Sequence, residues 1–530
     1  MATTADGGWA PLRIGAYRTL WAAQLGSNVG TWMQVVAAQW MLVHQPGAAT
    51  LTAAVQAASL TPVLFVSLPA GVLADVIDRK RLLVVLSLTM TVFATALTLL
   101  TVAGLTTPAV LLSLTFLMGC GQAIIAPTWQ AIQPELVPRE LIPAAAALGS
   151  LNINAARAVG PAIAGAIVAV AGPAIVFAVN AASFLAVMFA VLAWRRGPTD
   201  TDIGDRWAAA LRTGMRYVTN APGVRRILLR SALFVIPASA LWALLAVTAE
   251  SRLHLGPNGY GLLLGALGVG AIVGAVSIHR LRRLCSDNLL LGVGGAAFTI
   301  GTVGAAVLTE AITVTVLLVL AGIGWLVNLS TLNTALQLTL PGWVRARGMS
   351  MYLLVFLGGQ GVASLGWGAL AAPIGVPATL WVSAGALLLG VVSLLWWPLL
   401  RGTGTLDRTI VSTWPEPTLT LEPDPADGPV LVQIAYIVPP DAERAFVVAM
   451  RPVERSRRRT GARYWALYRD AAEPDRFVEV FQVPSWSEHI GQHHRRTTGY
   501  DAELLDTARA HAQGEPEVRH LLPAVVDRRR

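Results

Sequence analysis

The stretch Gly71-Val72-Leu73-Ala74-Asp75-Val76-Ile77-Asp78-Arg79-Lys80-Arg81-Leu82 decides the fold of this chain. An apolar run ends before it and another begins after it. Between them stands a tight turn with two acids and three consecutive basic residues. Read alone, it is a solvated loop joining two helices. Its position gives it more weight. It falls between the second and third of about twelve apolar runs, each about 18–25 residues long, the length that crosses a bilayer as a helix.

Composition agrees. The 530 residues are 55% hydrophobic and 13% charged, and mean hydropathy is +0.59. A soluble domain carries about 25% charged residues, so the deficit places the chain in a membrane. The first apolar run contains Gln24, Asn28, Gln34 and Gln39, which makes it too long and too polar for a cleaved signal peptide. Net charge is +9, but the basic residues fall in alternate loops and a tail, so topology outweighs nucleic acid as the reason for it. Cys120 and Cys285 lie on different segments and indicate neither a disulfide nor a metal site.

The pattern predicts helices at 18–43, 51–74, 82–104, 107–131, 143–170, 174–195, 227–250, 258–280, 288–309, 311–334, 349–372 and 376–400. Arg13, Arg18, Arg79 to Arg81, Arg139, the arginines of 195–230, Arg280 to Arg283, Arg345, Arg347 and Arg401 fall on one side. The other side has little beyond Arg252. The positive-inside rule then makes both termini cytosolic. The domains expected are a six-helix half at 1–195, a connector at 196–226 and a second six-helix half at 227–400. A membrane-surface helix is expected at 206–220 of the connector, ended by Ala221-Pro222-Gly223. The second-half counterpart of the opening loop is Ser277-Ile278-His279-Arg280-Leu281-Arg282-Arg283, which keeps the basic residues and lacks the aspartate.

Residues 401–429 form a proline-rich acidic linker, with Trp414-Pro415-Glu416-Pro417 and Glu422-Pro423-Asp424-Pro425. Beyond it, 430–530 is soluble in composition. Strands are expected at 430–438, 462–469, 477–483 and 518–522, and helices at 441–458 and 485–510. That βαββαβ order suggests a ferredoxin-like α+β domain. The fold class is therefore an all-α membrane protein of twelve helices in two bundles, with a small α+β tail.

Within the membrane, Arg157 is the sharpest signal. It lies about fourteen residues into its helix, roughly 21 Å from the end at 1.5 Å per residue. A charge at that depth costs at least ~2.5 kcal/mol, so it should meet a cavity or a partner. The competing roles are a snorkelling arginine and a structural hydrogen-bond hub. No Asp or Glu falls clearly in mid-span, Glu250 and Glu310 being near helix ends. The coupling residue is therefore unassigned. Asn28, Trp32, Gln34, Gln39, Asn152, Asn154, Trp242, Asn328, Asn333 and Gln360 are the polar and aromatic candidates for a substrate path. Each serves equally as an interhelical hydrogen bond. Together they describe a path of sparse charge, suited to an apolar or amphipathic substrate. Gly261 with Gly265, and Gly270 with Gly274, are small-xxx-small pairs for close packing.

In the tail, His489 and His493 share one helical face but show no convincing third ligand, so no metal is expected. Arg455, Arg457, Arg458 and Arg459 read as a solvated basic face, suited to acidic lipid.

The opening loop resembles the glycine–aspartate–basic loop between helices two and three of the major facilitator superfamily. Gly71, Asp75, Arg79, Lys80 and Arg81 fit it, with Asp78 where a glycine is common. The resemblance implies that Gly71 lets helices cross closely, that Asp75 acts in gating by capping a distant helix near 348–351, and that the basic residues face cytosolic lipid. Gly149, Arg157, Gly160, Pro161 and Gly165 resemble the helix-five glycine–proline motif of the superfamily's antiporters, with its final glycine pair incomplete. That implies export. An arginine common early in helix four is missing before Gly119-Cys120-Gly121, and Arg157 on the adjacent helix is the candidate to replace it in space. Residues of about 10–400 look like the enterobactin-exporter branch, through the loop, the stretch Asn154-Ala155-Ala156-Arg157-Ala158-Val159-Gly160-Pro161, Ser231-Ala232-Leu233-Phe234 and Leu241-Trp242-Ala243-Leu244-Leu245. The tail resembles small dimeric barrels of the antibiotic-biosynthesis monooxygenase type, and Trp486-Ser487-Glu488-His489 resembles the tails of bacterial exporters. The resemblance implies a secondary-active exporter of a siderophore or other amphipathic metabolite in a bacterial inner membrane, with proton coupling and tail pairing as further options. It implies no cofactor, no enzyme activity and no nucleic-acid partner. A membrane-tethered monooxygenase, a channel and a partner-binding scaffold are the other classes. No haem, flavin or metal motif supports the first, and two halves around gating loops argue against the second.

Overall fold

The computed structural model describes residues 8–66, 77–195, 207–400, 406–411 and 423–524. Gly71 and Asp75 of the expected gating loop lie outside them. Long helices dominate: α1 (Gly15–Leu42), α2 (Ala48–Val66), α3 (Arg79–Val102), α4 (Pro108–Leu136), α5 (Ile142–Ala171) and α6 (Pro173–Ala193). Then come a shorter helix α7 (Trp207–Asn220) and α8 (Pro222–Ser251), α9 (Pro257–Leu284), α10 (Asp287–Val307), α11 (Ala311–Thr339), α12 (Gly342–Ile374) and α13 (Val376–Val392). Among the described residues, eleven helices are long and apolar enough to cross a membrane. The 28-residue α1 is not one of them; it carries Gln24, Asn28, Gln34 and Gln39.

Local chemistry sets the helix ends. The Asp78 carboxylate accepts from Arg81 N at 2.8 Å and caps α3, so this position serves as an N-cap. Ser286 caps α10 in the same way. Gly172 at φ 78° joins α5 to α6, and Gly375 at φ 82° joins α12 to α13. Both single-residue turns need the left-handed conformation that glycine supplies cheaply. The same device thus recurs in the second set of helices. A π-turn at Leu354–Gly358 interrupts α12 just before Gln360, the kind of break often found at functional sites.

The chain divides into two compact units. The first holds Met1–Gly204, Leu229–Leu332 and Tyr352–Pro398. Within it, glycines set the close helix crossings. A Cβ on Gly165 would stand 2.5 Å from Pro257 O and 3.1 Å from Gly261 Cα, and one on Gly268 2.9 Å from Ala158 Cβ, so α5 and α9 touch backbone to backbone. Gly270 and Gly274 face α11 instead, against Gly322 and Ile323. The expected glycine pairs of α9 therefore serve two different neighbours. Gly361 against Thr61 and Gly368 against Ala53 bring α12 onto α2.

The second unit holds Asp205–Leu228, Asn333–Met351 and Leu399–Arg530. Its sheet has the order β2-β3-β1-β4, all antiparallel, from β1 (Val430–Ile437), β2 (Tyr464–Arg469), β3 (Arg476–Val483) and β4 (Gln513–Leu521). The helix α14 (Glu443–Thr460) follows β1. Alternation in β1 puts Val430, Val432, Ile434 and Tyr436 into a core with Phe446, Met450, Val453, Phe477 and Phe481. The helix expected over 485–510 is two, α15 (Trp486–Gly491) and α16 (Gly499–Arg509). The break comes at Thr498, whose hydroxyl and backbone N–H both donate to the Asp501 carboxylate in a capping box. The connector helix α7 packs on α14, where the sequence suggested a membrane-surface role.

Candidate functional site

The first unit gathers aromatic side chains from five helices around one arginine. The Arg157 guanidinium on α5 lies 5.4 Å from the Trp32 ring of α1. Gly160, one turn on, lets the α1 backbone approach: its Cβ would stand 2.8 Å from Trp32 Cβ. Trp32 meets Trp242 of α8 at 6.1 Å between centroids, and Trp242 meets Trp325 of α11 at 5.3 Å. Trp325 also contacts Phe234, Phe298 of α10 and Phe356 of α12, at 5.5–5.8 Å.

This cluster is rich in unspent donors. Arg157 Nε and Nη1, Trp242 Nε1 and Trp325 Nε1 are buried and have no hydrogen-bond partner among the described residues. A buried donor left unpaired costs about 1–3 kcal/mol, more if charged. Arg157 has a cation–π contact, worth about 2 kcal/mol when desolvated, and no carboxylate partner among the described residues.

The other path candidates divide. Asn28 donates to Asn152 Oδ1 at 2.9 Å, and Asn152 donates to Trp21 O at 3.0 Å, tying α1 to α5. Gln34 bonds to Met118 Sδ at 3.0 Å and accepts from Asn180. Asn154 donates back to Ser150 O and Asn328 to Gly324 O, each on its own helix. Asn328 also lines a cavity of ≈ 20 Å³, about the size of one water, with Arg230 and Phe234. Gln360 is buried beside the π-turn. Asn333 belongs to the second unit and accepts from Gln337. Of the residues read from sequence, Arg157, Trp32 and Trp242 come together. Trp325 was missed; it sits in an unbroken apolar run with nothing local to mark it.

Around the helix-five motif, Gly149 faces Gln133 and Gly165 faces α9. Two groups join the ends of helices there: Tyr260 donates to Gln39 Oε1 and stacks on Trp40, and His44 Nε2 lies 3.9 Å from Glu250. In the basic run of the opening loop, Arg79 and Lys80 are engaged and Arg81 is exposed. Arg79 bonds to Glu135 at 2.9 Å. Lys80 caps the end of α6 through Leu192 O and Trp194 O, at 3.0 and 2.6 Å. Arg230, counted among loop charges, is buried and donates to Gly390 O, Ser393 O and Trp397 O at the end of α13.

The tail corrects a second reading. Arg457 and Arg459 are buried, paired with Glu479 at 3.0 Å and with Asp501. Arg458 pairs with Glu454 at 2.9 Å, so only Arg455 of the expected basic face is exposed and unpaired. His520 of β4 joins His489 and His493, with ring centroids 4.8 and 4.5 Å from that of His489. Even so, no group of three ligating side chains among the described residues could hold a metal ion.

Burial, with a smaller contribution from the neighbouring histidines and Arg457, pushes His489 down to about 2 and His493 to about 3. Both folded-state values lie below the ordinary ~6.5 of a free imidazole, so the unfolded tail takes up protons first. Their stabilising effect is complete above about pH 6.5 and is lost as pH falls below it. Protection factors on β4 and α15, corrected for the intrinsic pH dependence of exchange, should therefore fall from pH 7 to 5, and less so in His489→Phe. Protection independent of pH in that window would contradict the burial of neutral imidazoles.

Eleven membrane-length apolar helices among the described residues, with Arg157 in an aromatic cluster between them, fit a multi-pass membrane transporter of the major facilitator type. The chain belongs to the family described as transmembrane secretion effector, which it matches over residues 6–529, tail included. It is similar to a staphyloferrin A transporter of Staphylococcus aureus (strain NCTC 8325 / PS 47), with 32% identity over 143 residues. The match covers 27% of this chain and 36% of that protein, about a third of the relative's length. Among solved structures, a D-xylose–proton symporter superposes with a TM-score of 0.60 at 12% identity, covering 73% of this chain and 98% of the other. An inward-facing bacterial homologue of the iron transporter ferroportin gives 0.52 at 20%, covering 73% and 99%. The two solved structures establish the fold alone.

Proposed function

We propose that this protein is a secondary-active exporter of an acidic, oxygen-rich amphipathic metabolite of the carboxylate-siderophore kind, working by alternating access in a bacterial inner membrane. The observation that carries the reading is the set of four unpaired N–H donors on Arg157, Trp242 and Trp325 inside one aromatic cluster. The staphyloferrin A transporter supports the substrate class. In this reading α1 is the twelfth span, polar because Asn28 and Gln34 tie it to α5 and α6. The halves are 1–195 and 227–400, with Asp75 the gating acid. The tail is ferredoxin-like, and its pairing with a second tail is a separate option. Proton coupling is part of the proposal without an assigned residue.

Inverted membrane vesicles should accumulate a citrate-based hydroxycarboxylate siderophore and not its methyl esters. Equal transport of acid and ester would remove the role of Arg157 as carboxylate receptor. The same vesicles report topology. Cys285 closes α9 and is partly exposed, and the loop charges put it in the cytosol. A membrane-impermeant maleimide should label it in inverted vesicles and not in intact cells; labelling in intact cells would reverse the orientation.

A further inference from the structure

The second unit contains a cavity of ≈ 240 Å³ that the transport reading does not use. Its walls come from α7 (Tyr217), the start of α8 (Pro222), the end of α11 (Thr339), the segment 406–411 and the tail helices α14 and α16. Three guanidinium groups line it: Arg408, Arg455 and Arg459. Arg408 and Arg459 flank one ring, with Cζ 5.6 and 5.9 Å from the Tyr500 centroid, and Arg459 lies 6.0 Å from that of Tyr217. Like charges so placed repel in a partly dehydrated wall unless an anion sits between them. Among the described residues one carboxylate pairs with these arginines, Asp501, and it is spent on Arg459. Arg408 Nε is buried without a hydrogen-bond partner among the described residues.

The position of Arg408 is fixed by its neighbours. Gly499 N donates to Thr409 O at 3.0 Å and Tyr500 N to Asp407 O at 3.1 Å. The Asp407 carboxylate is turned to Thr409, accepting from its N–H at 2.9 Å and its hydroxyl at 2.7 Å. Among the described residues, Arg408 and Arg455 are left without an anionic partner.

We propose that this cavity is a binding site for a phosphate monoester dianion. Its charge matches the two free arginines, whose planar forks suit phosphate oxygens. The remaining volume, walled by Pro222, Leu406 and Leu504, accepts the organic group that carries the phosphate. A soluble phosphomonoester and the headgroup of phosphatidic acid present the same chemistry. Either would bridge the connector, the end of α11 and the tail.

The test uses the full-length protein and the double variant Arg408→Gln/Arg455→Gln. Neither residue makes an ion pair among the described residues, so the variant should fold. Inorganic phosphate is titrated calorimetrically into detergent-solubilised protein at pH 7.5. In parallel, thermal transitions are compared in nanodiscs of phosphatidylcholine with and without phosphatidic acid. Saturable phosphate binding that the double variant weakens at least tenfold identifies a soluble ligand. A phosphatidic-acid-dependent rise in Tm that the variant loses, without phosphate binding, identifies the lipid. If wild type and variant respond alike in both arms, the site does not exist. Arg519→Gln, at the surface of β4, controls for loss of general positive charge.

Discussion

Arg157→Met should abolish export while leaving the protein folded. The side chain has no carboxylate partner, and its Nε and Nη1 make no hydrogen bond among the described residues. What it gives the resting protein is one contact with the Trp32 face. Methionine keeps the length and an apolar contact with the indole, and it removes an interior charge that costs at least ~2.5 kcal/mol. Expression and Tm should therefore be equal to or above wild type. A charge-assisted hydrogen bond to an acidic substrate is worth about 1.5–3 kcal/mol, roughly 10- to 150-fold in apparent affinity. Arg157→Lys, a point charge without the planar fork, should fall between. A fall in Tm of the Met variant that parallels its loss of export would assign Arg157 to structure instead.

The largest stability effect is expected in the tail. Glu479 is fully buried and accepts from Arg457 Nε at 3.0 Å, Trp465 Nε1 at 2.9 Å and Tyr436 OH at 3.1 Å. Glu479→Ala strands the Arg457 guanidinium in the core. Breaking one partner of such a pair costs about 3–5 kcal/mol, comparable to the whole stability of a small domain. Limited proteolysis of the full-length protein should then cut within 430–520 at temperatures where wild type resists. Removing both charges, in Arg457→Met/Glu479→Leu, should restore most of the resistance, because the pair's own desolvation cost disappears with it. A Glu479→Ala tail as resistant as wild type would mean that the pair is not formed.

Eleven membrane-length helices were legible because bilayer thickness fixes the length of an apolar run; the polar first run, read as a twelfth, is not among them. The tail's element order followed from strand alternation and turn residues in the same way. Less could be read where a residue's meaning depends on a distant partner. Arg457 and Arg459 look like a surface run until Glu479 and Asp501, some 22 and 42 positions on, are folded against them. Asn28 and Gln34 look like ligand groups until Asn152 and Asn180 take up their hydrogen bonds. Trp325 carried no local signal, since an indole in an apolar helix reads as packing. Arg157 stood out because a charge in hydrocarbon needs an explanation wherever the chain places it. The break at Thr498 was visible in principle, as a threonine three residues before Asp501, and the long polar run around it hid the cap.

The central claim is that Arg157 and the indoles around it receive an acidic substrate. The most direct measurement is counterflow of a radiolabelled carboxylate siderophore in liposomes reconstituted with pure protein, comparing wild type with Arg157→Met at matched incorporation. Wild type should exchange label, the unlabelled acid should compete and its ester should not, and the Met variant should lose exchange by at least tenfold while keeping its Tm. Exchange by a folded Arg157→Met protein at the wild-type rate, with the same preference for acid over ester, would contradict the account.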